Sequence, residues 1–168
     1  MIRIERDSPG RGAVQQLLTE HLADMFATSP AESVHALDPA ALSGADIAFW
    51  TACEDSEVLG CGALKLLEPG ETGIKQGEIK SMRTAAHARG RGIGALLLTH
   101  ILTEARRAGY DRLYLETGSQ DFFAPARRLY RRHGFDFCPP FASYGDDPHS
   151  CFMTLALDLG PDLDPIRL

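Results

Sequence analysis

Residues Ile2, Arg3, Ile4, Glu5 and Arg6 alternate apolar and polar, the two-residue period of a strand. After a Pro9-Gly10 break, apolar residues recur at Val14, Leu17, Leu18, Leu22, Met25 and Phe26, which is helical spacing. Ser29-Pro30-Ala31-Glu32 has the form of a capping box with proline at the first helical position, and predicts a second short helix. Asp38-Pro39 predicts the cap of a third short turn. Ile47 to Cys53 and Val58 to Leu67 read as two strands of a hairpin around the turn Glu54-Asp55-Ser56-Glu57. Residues 68–77 are polar with three glycines and a proline, a surface loop.

The next stretch organises the rest. An extended segment, Glu78 to Thr84, leads through a short connector to Arg89-Gly90-Arg91-Gly92-Ile93-Gly94. A long apolar-periodic helix follows, with Leu97, Leu98, Ile101, Leu102 and Ala105, and it stops at Gly109. Arg112 to Thr117 is a further strand, so strand, glycine loop, helix and strand make one right-handed, parallel β-α-β unit. Ser119 to His133 predicts a helix with Ala126, Leu129 and Tyr130 on one face, ended by Gly134. Phe135 to Cys138 begins a strand that Pro139-Pro140 breaks, 141–150 is a polar, aromatic loop, and Cys151 to Leu157 is the last strand. Residues 1–158 read as one domain and 159–168 as a C-terminal tail.

Glycines let a backbone approach a ligand closely and adopt positive φ. The unpaired N–H groups and dipole of the following helix favour an anion. With two arginines in the same loop, the physical reading is a pocket for phosphate or pyrophosphate. Three ligand assignments compete. Gly90-x-Gly92-x-x-Ala95 satisfies a dinucleotide fingerprint, with Glu116 about 20 residues on as the ribose acid. However, Ala85 to Arg89 separate the loop from its strand, and the preceding half of the chain lacks further β-α-β units. A second assignment is a bare strand-to-helix turn. The third is coenzyme A.

The 168 residues carry a net charge of −6, which weighs against nucleic-acid and membrane surfaces and leaves room for a cationic substrate. Cys53, Cys61, Cys138 and Cys151 form no C-x-x-C pair, so free thiols in a reducing cytoplasm are expected and a zinc site is not. The N-terminal residues lack a signal-peptide apolar stretch, and no apolar run approaches a membrane span.

Arg89-x-x-Gly92-x-Gly94 resembles the R/Q-x-x-G-x-G/A loop of the GNAT superfamily of N-acetyltransferases. Ala126-x-x-Leu129-Tyr130-x-x-x-Gly134-Phe135 is similar to that family's A-x-x-L-Y-x-x-x-G-F segment. The element order β-α-α-β-β-β-α-β-α-β-β matches as well, so the resemblance covers roughly residues 1–158. The distal stretch with Phe141, Tyr144, Asp147 and Ser150 further resembles a bacterial, YsnE-like subgroup.

The resemblance implies a mixed α/β GNAT fold, acetyl-CoA as co-substrate, no metal, and transfer of the acetyl group to a primary amine of a small molecule, amino acid or peptide. A homodimer is the family-level expectation. Backbone N–H groups of the loop from Gly90 through Gly94, including Ile93, would face the pyrophosphate, with Arg89 and Arg91 screening its charge. Main-chain groups of Met82, Arg83 and Thr84 would pair with the pantetheine arm as an added strand. A bulge would splay this strand from 112–117, and the N–H of Met82 or Arg83 would face the carbonyl oxygen.

Tyr130 is the candidate acid for the departing thiolate. Glu78, placed by alternation on one face with Lys80, Met82 and Thr84, is a candidate base, and Glu116 competes with it. By the same resemblance His35 and His149 lie in segments that flank the acceptor site, and Tyr144, Asp146 and Asp147 are candidates to bind a cationic acceptor. His87 lies in the connector before the glycine loop. No cysteine sits in either motif, which points to direct attack rather than an acyl-cysteine route. Phe123 stands where many relatives carry the asparagine that holds the pantetheine arm, and this puts that contact in doubt. The alternative from another class is a CoA-binding sensor or interaction module without catalysis.

Overall fold

The computed structural model describes residues 1–35, 40–70 and 73–157. A seven-stranded mixed sheet runs in the order β1-β2-β3-β4-β5-β7-β6. Its strands are β1 (Arg3–Arg6), β2 (Ile47–Glu54), β3 (Glu57–Leu66), β4 (Gln76–Thr84), β5 (Arg112–Gly118), β6 (Asp136–Cys138) and β7 (Ser150–Ala156). The helices are α1 (Gly12–Thr28), α2 (Ile93–Arg107) and α3 (Ala124–Arg132). Among the described residues only β4 and β5 pair in parallel, joined by α2 as the β-α-β reading requires.

Both faces of the central strands are covered, so β3 is buried almost without alternation from Val58 to Leu64. Gly60 and Gly62 face α2. A Cβ at Gly60 would meet Ile93 and Leu97, and one at Gly62 would meet Met82 and Ile101. The missing side chains let α2 lie close on the sheet, with Leu97, Leu98 and Ile101 fully buried. The intervening Leu59, Cys61 and Ala63 face the other side, where α1 crosses β3 and β4.

Two predicted helices are shorter in the structure. The segment after Ser29 is a single 3₁₀ turn, Ala31–Ser33, led by Pro30 without a side-chain cap. The capping box does not close because Ser29 Oγ instead accepts from Gln120 Nε2 at 3.3 Å. The Asp38-Pro39 cap lies outside the described residues, and the next turn is Ala41–Ser43. The helix expected over 119–133 is split into a 3₁₀ turn, Asp121–Phe123, and α3. Pro125 falls in the first turn of α3, where its missing N–H costs no helical bond.

Phe123 packs directly over Gly118, whose position admits no Cβ without displacing the ring. Gly118→Ala is therefore expected to destabilise the fold by about 1–3 kcal/mol through overpacking. Urea denaturation of the variant measures this.

Candidate functional site

The site begins where β4 and β5 part. Their pairing ends at Ile79↔Leu115, while β5 goes on pairing with β7 as far as Gly118. The cause is a bulge in β4. On the β3 side, Cys61 pairs with Arg83 and Ala63 with Lys80, so Ser81 and Met82 together oppose the single residue Gly62. Ser81 takes φ +54, an unusual conformation for a residue with a side chain. Cys61 Sγ donates to the Ser81 carbonyl at 3.3 Å and supports the distorted backbone from beneath. Burial pushes that thiol up to about 12, so it does not present a nucleophilic thiolate.

The bulge also changes the side-chain phase. Strand alternation places Met82 and Thr84 with Glu78 and Lys80. In the structure Met82 turns toward Gly62 and Ile101 on the α2 side. Arg83 instead reaches α1, where its Nη1 pairs with Asp24. The extra residue reverses the alternation beyond Ser81.

The glycine loop is built as expected. Gly90 and Gly92 have φ of +81 and +78, and Gly92 caps α2 in the left-handed conformation. Among the described residues, the backbone N–H groups of Arg91 to Gly94 donate to no backbone carbonyl, and the first turn of α2 holds no acidic side chain. The loop thus presents unpaired donors at the positive end of a 15-residue helix. Gly94 lies against Leu129 of α3, which ties the two sequence motifs together.

The arginine side chains depart from expectation. Arg91 binds Glu54 at 2.6 Å, and Arg89 lies 3.8 Å from Asp24. They pair with acids of the β2–β3 turn and α1, so the loop's free anion-binding capacity is carried by backbone groups. His87 pairs with Glu57 at 2.7 Å on the surface.

A cavity of about 90 Å³ opens at the fork. Its walls include Glu78, Lys80 and Ser81 of β4, Glu116 of β5 and Tyr130 of α3. Glu78 is buried, and its Oε2 accepts from the Tyr144 hydroxyl at 2.6 Å and from Lys80 Nζ at 3.1 Å. Lys80 Nζ also donates to the Tyr144 oxygen at 3.0 Å. Glu116 lies on the opposite side of the fork. Burial pushes its carboxyl up to about 7, Glu78 and Asp147 add to the rise, and the Ser150 hydroxyl and Lys80 oppose it. Tyr130 is buried with its ring edge on Phe135, and desolvation and Glu116 raise its hydroxyl well above the usual value, so it is held protonated.

The acceptor-side candidates divide. His35 lines the cavity, with its ring edge-on to Tyr144 at 5.0 Å. Asp147 and His149 stand outside it. Asp147 accepts from the His149 N–H at 2.8 Å, and hydrogen bonds from Ser33 and that N–H hold its carboxyl below the usual range. Sequence reasoning missed His21, which α1 brings into the cavity wall. Burial and the nearby Arg83 push this imidazole down to about 4, so it is neutral near pH 7. Its helical spacing from Val14, Leu17 and Leu18 was the signal that it faces the sheet.

Among the described residues no helix is long and apolar enough to cross a membrane. A family model for the acetyltransferase (GNAT) family matches residues 14–135. The chain is 50% identical over 151 residues to YsnE of Bacillus subtilis, an uncharacterized N-acetyltransferase, covering 90% of this chain and 96% of that one. It is 43% identical over 159 residues to an IAA acetyltransferase of Azospirillum brasilense, covering 93% and 98%. A solved structure from Klebsiella pneumoniae, described as a candidate acyl-CoA N-acyltransferase, superposes with a TM-score of 0.75 at 28% identity, covering 94% and 99%. The split sheet, the open glycine loop and these matches agree, and the chain belongs to the GNAT family of N-acetyltransferases.

Proposed function

We propose that this protein transfers the acetyl group of acetyl-CoA to a primary amine by direct attack, with Glu116 as general base and Tyr130 as general acid. The observation that carries this reading is their placement. Both line one cavity at the β4–β5 fork, one with a carboxyl near neutrality and the other with a hydroxyl held protonated.

The co-substrate fits the groups present. Its pyrophosphate would meet the unpaired N–H groups of Arg91 to Gly94, with Gly90 and Gly92 shaping the loop. Its amide-bearing arm would lie along the β4 edge from Met82 through Thr84, which β5 leaves unpaired. Bound there, it supplies an activated acyl carbonyl and a good leaving group.

The chain's own residues do the rest. Glu116 takes a proton from the nitrogen of the neutral amine as that nitrogen's lone pair forms the new N–C bond. The backbone N–H of Met82 or Arg83, on the part of β4 beyond the fork, would face the carbonyl oxygen as negative charge develops. Tyr130 gives its proton to sulfur as the C–S bond breaks. Glu78 is the weaker candidate base because one of its oxygens is already bound by both Tyr144 and Lys80. It holds Lys80 and Tyr144 in place instead.

The test has two parts. Calorimetry with CoA should give a defined 1:1 binding isotherm. Tyr130→Phe should then lower kcat for acetyl transfer across an amine panel by about 10–100-fold with little change in CoA affinity, a smaller loss than for a base because a thiolate leaves readily. Absence of CoA binding at millimolar concentration would falsify the assignment.

A further inference from the structure

We infer that the acceptor is a small free amino acid, whose amine is held by Glu116 and whose carboxylate is held by Lys80 and Ser81. This rests on the acetyl-transfer reading above and names the acceptor class of the same site.

Lys80 and Glu116 occupy the first position past the last β4–β5 pair, Ile79↔Leu115. Partners in a parallel ladder point to the same face, and Glu78↔Tyr114 is such a pair one row back. Lys80 and Glu116 therefore stand on the same face, one on each arm of the fork. A cation and a carboxyl confront each other across the slot where the acceptor must meet the acyl group.

Two donors on the β4 arm are unfilled. The Lys80 side chain is only 8% exposed, and two of its N–H groups go to Glu78 and Tyr144, which leaves the third without a described partner. Ser81 is 8% exposed, lines the same cavity, and its Oγ is buried without any hydrogen-bond partner. Buried polar groups left unpaired are costly, and a ligand carboxylate satisfies both donors. A simple monoamine leaves them empty.

Contacts between distant segments wall the acceptor side. Tyr144 meets His35 edge-on, the Ser33 hydroxyl meets Asp147, and Gln120 Nε2 bonds Ser29 Oγ. These contacts join the β6–β7 loop and the start of the 3₁₀ turn before α3 to the segment after α1, across the acceptor side. The cavity between these walls has a volume of about 90 Å³.

Matched pairs of acceptors test this, with acetyl-CoA saturating: alanine against ethylamine, serine against ethanolamine, and glycine against methylamine. Rates are compared per concentration of neutral amine. The expected result is a ten- to hundredfold higher kcat/KM for each amino acid. In Lys80→Gln the difference should shrink to within threefold. Ser81→Gly suits the backbone at φ +54 and gives a second variant that folds if the first does not. It should reduce the preference severalfold.

Equal or better turnover of the decarboxylated amines overturns the inference and leaves the N-acetyltransferase reading standing. So does faster acetylation of a short peptide N-terminus, or an undiminished preference in both variants. Tight CoA binding with no turnover of any amine overturns both readings.

Discussion

Glu116→Gln is expected to lower kcat by about 10²- to 10⁴-fold, the usual worth of a general base. In the parent enzyme, kcat/KM rises about tenfold per pH unit below neutrality and levels above the Glu116 value of about 7, because only the ionised carboxyl can take the proton. In the variant that acid limb disappears. Glu78→Gln serves as the contrast: the limb remains, since Glu78 is bound to Lys80 and Tyr144 and takes no proton in the reaction. A pH–rate profile of the three proteins separates the two carboxylates. Loss of the limb in Glu78→Gln alone would reverse the assignment.

The same residue has a stability signature. Burial raises the Glu116 carboxyl in the folded protein to about 7 from the usual 4.5, so between these values the folded state binds the proton that the unfolded chain has released. Stability therefore falls as pH rises through this window and is lowest above it, by about 2–3 kcal/mol in total. Glu116→Gln removes that ionisation. The variant should be less active yet more stable at pH 8, by about 1–3 kcal/mol, with most of the gain gone at pH 5. Urea denaturation at the two pH values measures it.

Lys80→Met is expected to cost about 3–5 kcal/mol of stability. Glu78 and Lys80 are 5% and 8% exposed, and removing one partner leaves the other as an uncompensated buried charge. The Glu78→Gln/Lys80→Met double variant should recover most of this loss, because a neutral amide still accepts from Tyr144 and no charge is left unpaired. A double variant no more stable than Lys80→Met would mean that the loss came from lost packing of the lysine stem. This cycle separates the pair's electrostatic part from its packing part.

Much of the cofactor half was legible because its signals are local. Gly90 and Gly92 announce positive φ, apolar spacing announces α2, and Leu129-Tyr130 with Gly134-Phe135 announces the helix that meets the loop. The two arginines misled, since their partners Glu54 and Asp24 lie 37 and more residues away and spacing does not reveal them. The predicted helix after Ser29 failed for a related reason: its cap is used by Gln120, 91 residues on. Phe123 was noticed as a departure. That it packs over Gly118 depends on how the 3₁₀ turn folds back on β5.

The acceptor half shows where local information ends. Strand alternation over residues 78–84 placed Glu78, Lys80, Met82 and Thr84 on one face, which holds only while the period of two is unbroken. The bulge at Ser81 reverses the phase, turns Met82 toward α2 and parts β4 from β5. Glu78 then meets Tyr144, 66 residues along the chain, and is bound rather than free. Short motifs were enough to identify a GNAT chain with an open glycine loop at a helix N-terminus, because backbone conformation and helix polarity are properties of neighbouring residues. The proposed choice of Glu116 over Glu78 rests on desolvation and on partners from distant segments, and folding alone brings those into contact.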